Sequence, residues 1–175
     1  MSEIDPLKYP IGLFLKPEAI TAEHLTAWIA TIAEFPQKIA ALTETLTEET
    51  LTKTYRPDGW TIRQLVHHCA DSHMNAFIRF KLALTEEAPK IKPYFEDQWA
   101  ELPDTRSAAI SSSLKLIEGL HARWANLLQS LHSEDLNREY IHPEHGKRFS
   151  LAETIGMYAW HCEHHLAHIR IALKN

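Results

Sequence analysis

The chain has 175 residues, enough for one domain with a sizeable core. Eighteen Lys and Arg stand against 23 Asp and Glu, and the net charge of -5 argues against a dedicated nucleic-acid binder. No apolar run approaches the roughly 18 residues a membrane span needs, the N-terminal MSEIDPLKYPIG lacks a signal-peptide pattern, two cysteines cannot build a disulfide framework, and five glycines form no phosphate-binding motif.

These features describe a reduced, cytoplasmic, one-domain protein spanning 1–175. Pro6, Pro10 and Pro17 make 1–17 an extended N-terminal arm. A first helix is predicted over about 21–45, with Leu25, Ile29, Ile32, Ile39 and Leu42 at mostly three- and four-residue steps. Pro36 should kink it or split it. A second helix is predicted over about 62–84. Thr61 and Gln64 have capping-box spacing, and Trp60 and Leu65 suit a hydrophobic staple. Leu65, Cys69, Met74, Phe77, Phe80 and Leu84 are its candidate buried side. The stretch PKIKPYFEDQWAELP follows, with room for one short helix. A third helix is predicted over about 106–131, capped by Thr105, with Ile110, Leu114, Ile117, Trp124, Leu127, Leu128 and Leu131 on one stripe. A short hairpin fits within 138–149. A fourth helix is predicted over about 151–173, with Ser150 and Glu153 as a second capping box. Four amphipathic helices in this length, joined by long loops, read as an all-α four-helix bundle.

The composition holds one anomaly, 12 histidines. They cluster as VHHCADSH (His67, His68, His73) and WHCEHHLAH (His161, His164, His165, His168), both on predicted helices. His161 and His165 are four apart and share a helix face, and so do His164 and His168. Either pair can reach one metal ion, and a third imidazole from the second helix would complete a three-ligand site with an open coordination position, which suits catalysis. Neither cluster carries the Glu-x-x-His motif of a di-iron site, so the site would be mononuclear. His67 and His68 point about 100° apart on a helix, and periodicity does not choose between them. Cys69 and Cys162 each neighbour a histidine of a cluster. The same divergence turns them away from any cation those histidines hold, so they read as small buried hydrophobes.

DGWTIRQLVHHCADSHMN, followed far downstream by YAWHCEHHLAHI, resembles the YfiT-like branch of the DinB superfamily. YPIG and the proline-bearing first helix extend the resemblance over nearly the whole chain. The resemblance implies a four-helix bundle holding one divalent metal, usually zinc or nickel, on three histidines. The matching positions here are His68, His161 and His165. The one departure is Cys69, where the family often has Leu. The resemblance also implies a metal-dependent hydrolase. Relatives that are bacillithiol S-transferases add the alternative of activating a low-molecular-weight thiol, and a non-catalytic metal-binding bundle is a third reading. The partner is then a small-molecule substrate, and relatives often form homodimers. Asp71, close to both His67 and His68, is a candidate to orient an imidazole or handle a proton. Tyr140, His142, His145, Arg148 and Trp160 are candidate substrate contacts. Arg138, Lys147 and Arg148 would suit an anionic thiol.

Overall fold

The computed structural model describes residues 5–144 and 146–175. Among these, four long helices carry the fold: α1 (Ala22–Thr43), α3 (Ile62–Thr85), α6 (Ser111–Gln129) and α8 (Leu151–Lys174). Between them lie the short helices α2 (Glu48–Leu51), α4 (Glu96–Trp99), α5 (Pro103–Ser107) and α7 (Ser133–Leu136), and one antiparallel hairpin of β1 (Glu139–His142) and β2 (Lys147–Ser150). No helix among the described residues is long and apolar enough to cross a membrane.

Local chemistry sets the helix starts. Thr21 accepts from His24 N and Thr61 from Gln64 N, and in both cases the third residue's side chain returns to the cap N–H. Ser150 caps α8 by accepting from Glu153 N. The Glu153 side chain does not close the expected box. It binds Lys16 and Lys147 instead. Pro36 does not split α1, which runs unbroken through it.

The expected start of the third helix at Thr105 is corrected. Pro103 opens a separate short helix, α5, and Thr105 lies buried within it. Ala108 then turns extended before α6 begins. Its carbonyl explains the break, because it accepts from Arg63 Nη1 at 2.7 Å and faces His67 Nε2 at 3.2 Å. Both partners belong to α3 and hold the strand of chain away from helical geometry.

In the bundle, α1 packs on α6 and α8, and α3 packs on the same two. The successive long helices α1 and α3 are therefore diagonal, as are α6 and α8. Ile32, Phe35 and Ile39 of α1 meet Leu65, Cys69 and Phe80 of α3, Ile117, Trp124 and Leu128 of α6, and Ile155, Cys162 and Ile169 of α8. Gly156 lets α1 and α8 approach, since a Cβ there would stand 2.9 Å from the Trp28 ring. Gly146 takes φ +57° at the hairpin turn, a conformation open to glycine at no steric cost.

The buried stripe of α3 differs from the expected one. Met74 and Phe77 are only half-buried, and His73 occupies the core row between Cys69 and Ala76. The N-terminal arm from Asp5 to Ile20 has neither helix nor strand and lies on α8. Trp160 Nε1 donates to the Gly12 carbonyl at 3.1 Å, and His168 Nε2 lies 3.2 Å from the Lys8 carbonyl.

Candidate metal centre

His68 comes from α3, and His161 and His165 come from successive turns of α8. Because α3 and α8 are neighbours in the bundle, the three rings converge. The Nε2 of His161 lies 3.3 Å from His68 Nε2 and 3.2 Å from His165 Nε2. All three donor atoms fall within 4.8 Å of one another. Two imidazole nitrogens about 2.0–2.1 Å from one tetrahedral cation stand roughly 3.3–3.4 Å apart, so the spacing fits a shared ion. Among the described residues, no fourth His, Cys, Asp or Glu joins this group.

Burial keeps the rings uncharged, as ligation requires. It pushes His68 down to about 3, and the neighbouring His164 and His168 add to the effect. Burial, with the surrounding imidazoles, holds His161 and His165 well below the usual histidine range. The site therefore has lone pairs to offer at neutral pH. His67, the alternative to His68, faces away, with its Nδ1 2.8 Å from Ser113 Oγ and its Nε2 on the Ala108 carbonyl.

Behind the centre lie histidines that motif reading does not connect to it. His161 Nδ1 is 3.0 Å from His73 Nε2, and His73 Nδ1 is 2.8 Å from His121 Nε2 on α6. His121 Nδ1 lies 2.6 Å from the Ile32 carbonyl on α1. On the other side, His165 Nδ1 lies 3.4 Å from His168 Nδ1. The signal available in the sequence is position. His73 and His121 sit on the core rows Cys69–His73–Ala76 and Ile117–His121–Trp124, where an imidazole must have a partner.

Asp71 is not brought to the centre. It lines neither cleft that reaches His161. The Nδ1 atoms of His161 and His165 face His73 and His168 rather than a carboxylate. Burial, then the nearby Asp104 carboxylate, raises Asp71 to about 6. Cys69 and Cys162 are fully buried core residues, and burial raises both thiols above their ordinary range. Neither is poised as a thiolate ligand.

Two clefts, of about 450 and 540 Å³, meet at the centre and share Glu96, Asp97, Trp160 and His161. The first exposes His68 and His165 beside Lys8, Tyr9, Tyr55, Arg56 and Trp60. Tyr140 and His142 line the second, as does Trp160. His145 lies outside the described residues. Arg148 lines neither cleft and pairs with Glu139. Arg138 donates to the Ala83 and Glu86 carbonyls, and Lys147 binds Glu153. The loop cations are thus engaged in holding the hairpin, and the cations lining the first cleft are Lys8 and Arg56, which motif reading does not single out.

The model of the DinB superfamily matches residues 31–169. A protein of Bacillus pumilus (strain SAFR-032), named "Putative metal-dependent hydrolase", is 52% identical over 168 residues, covering 96% of this chain and 95% of its own. A protein of the same name from Bacillus cereus (strain 03BB102) is 50% identical over 166 residues, covering 95% of each. The structure of YfiT from Bacillus subtilis, described as "a probable metal-dependent hydrolase with an unusual four-helix bundle topology", matches with a TM-score of 0.92 at 45% identity over 95% of each chain. With its diagonal helix pairs and its histidines on two neighbouring helices, this chain belongs to the YfiT-like branch of the DinB superfamily.

Proposed function

We propose that this protein is a metal-dependent hydrolase whose single divalent cation, zinc in the first instance, is held by His68, His161 and His165. One observation carries the reading: three Nε2 atoms from two helices stand at the spacing of a shared ion, with no fourth protein donor among the described residues. A three-ligand site leaves a coordination position for chemistry, whereas a closed four-ligand site would favour a structural metal. When bound, such a cation acidifies a ligated water to a pKa of about 7, or strips the proton from a ligated thiol.

The chain's own residues do the rest. His68, His161 and His165, neutral through burial, leave the cation its full charge. Trp60, its ring 4.6 Å from that of His68, and Trp160, stacked 4.3 Å from His164, supply apolar surface to the cleft wall. Lys8 and Arg56 can bind an anionic part of a small-molecule substrate. Those two cations also favour the second reading, S-transfer from an anionic low-molecular-weight thiol on the same three ligands. Two buried cysteines that remain free thiols accord with a reduced, cytoplasmic setting.

The test has two arms. Elemental analysis of the zinc-loaded protein should give one ion per chain, and His161→Ala should lose it while far-UV circular dichroism stays helical. A stoichiometric ion in His161→Ala refutes the ligand set. The loaded protein is then offered a panel of esters and amides, and separately an electrophile with each of several cellular thiols. Cleavage without added thiol supports hydrolysis. Acceleration that depends on one thiol replaces hydrolysis with transfer.

A further inference from the structure

Three ligands do not account for the chain's other buried imidazoles. His73, His121 and His168 are 0%, 1% and 2% exposed, and each stands in a line that runs from a candidate ligand to a backbone carbonyl. We propose that these three are positioning residues: two relays of neutral imidazoles, one ending on the Ile32 carbonyl and one on the Lys8 carbonyl, fix His161 and His165 in the Nδ1–H tautomer and present both Nε2 lone pairs to the cation. The inference rests on the ligand set proposed above.

The first relay follows from donor and acceptor accounting. A carbonyl oxygen only accepts, so His121 Nδ1, 2.6 Å from the Ile32 oxygen, carries the hydrogen. A neutral imidazole has one N–H, so His121 Nε2 accepts, and the donor 2.8 Å away is His73 Nδ1–H. His73 Nε2 then accepts from His161 Nδ1–H at 3.0 Å. That leaves His161 Nε2 with its lone pair free, on the side facing His68 and His165. The second relay is shorter. His168 Nε2–H donates to the Lys8 oxygen at 3.2 Å, so His168 Nδ1 accepts from His165 Nδ1–H, at a longer 3.4 Å. His165 Nε2 is likewise left as an acceptor. Each neutral ring passes the polarity on unchanged, so the carbonyl at the far end sets the tautomer of the ligand at the near end.

The Ile32 carbonyl is available for a reason written in the sequence. In α1 it would accept from the N–H of residue 36, and residue 36 is proline, which has none. The proline that leaves α1 unbroken thus frees the oxygen on which the longer relay ends. A consequence appears at the centre itself. His161 Nε2 and His165 Nε2 face each other at 3.2 Å with no hydrogen between them. Two lone pairs at that distance repel, and a cation between them removes the repulsion. The relays therefore favour the ion by holding the metal-free rings in the form that needs it.

Hydrogen-bonded support of this kind is typically worth 10- to 100-fold in metal affinity. The experiment uses the full chain labelled with ¹⁵N-histidine, first metal-free, with long-range ¹H–¹⁵N correlation spectra assigned through single-histidine variants. The expected pattern is Nδ1–H at His73, His121, His161 and His165, and Nε2–H at His168. An Nε2–H tautomer at His161 or His165 overturns the proposal, and this reading does not need the metal to bind. Zinc affinity, by competition with a chelator, gives the second readout. His168→Leu should weaken zinc roughly 10- to 100-fold, and His168→Asn, whose amide oxygen can stand where Nδ1 accepts, should recover most of the loss. Equal affinity in folded His168→Leu overturns the relay. Two zinc ions per wild-type chain, falling to one in His168→Leu, also overturns it, because His168 would then be a ligand of a second ion. If the leucine variant does not fold, the wild-type tautomers decide. A wild-type chain that binds no zinc refutes the ligand set, while the metal-free tautomers still test the relays separately.

Discussion

At the scale of single residues, the buried histidines make the metal-free protein acid-sensitive. Burial takes His68 from its ordinary 6.5 down to about 3, and His121 to about 4. In the unfolded chain these rings protonate near 6.5, but in the fold they resist until pH 3–4. The unfolded state therefore binds more protons across that window, and stability rises with pH through it. Stability is fully present above about pH 6.5 and is lost as pH falls toward the folded values. Between pH 6.5 and 5, each fully buried ring costs on the order of 2 kcal/mol. Urea unfolding of the metal-free chain should show a clearly lower midpoint at pH 5 than at pH 7, and equal midpoints would contradict the burial of neutral imidazoles. The His161/His165 pair was legible in the sequence because a four-residue step on one helix is a local property, whereas periodicity left His67 and His68 open and only the family resemblance chose His68. The supports His73 and His121 were not, since His121 lies 48 residues from His73 and meets it only through the packing of α3 on α6.

At the scale of elements, hydrophobic periodicity and caps located all four long helices to within a few residues, because both signals act within a turn or two of chain. The departures come from partners distant in sequence. The third helix starts late because Arg63 and His67 of α3 take the Ala108 carbonyl. The α8 box stays half-made because Lys16 and Lys147 claim Glu153. The approach of α1 to α8 is another such effect, and it is testable. Gly156→Ala places a methyl against the Trp28 ring at 2.9 Å, well inside ordinary contact. Overpacking of this kind costs about 1–3 kcal/mol. The variant should unfold at lower urea concentration with an unchanged slope, and wild-type stability would show that the indole yields freely.

At the scale of the whole molecule, the diagonal placement of successive helices makes α3 and α8 neighbours and so assembles the centre from residues some 93 apart in sequence. The same placement puts α1 and α6 behind it, where Ile32 and His121 end the longer relay, and lays the N-terminal arm across α8, where Lys8 ends the shorter one. An arm read from sequence only as proline-rich and extended thus contributes both a carbonyl behind the centre and a cation at its cleft. Diffraction from zinc-loaded crystals, collected on both sides of the zinc absorption edge, locates the ion and its ligands. One anomalous peak per chain is expected, bonded to Nε2 of His68, His161 and His165 at about 2.0–2.1 Å. A peak on His164 and His168 instead, or none at the three Nε2 atoms, refutes the three-histidine centre.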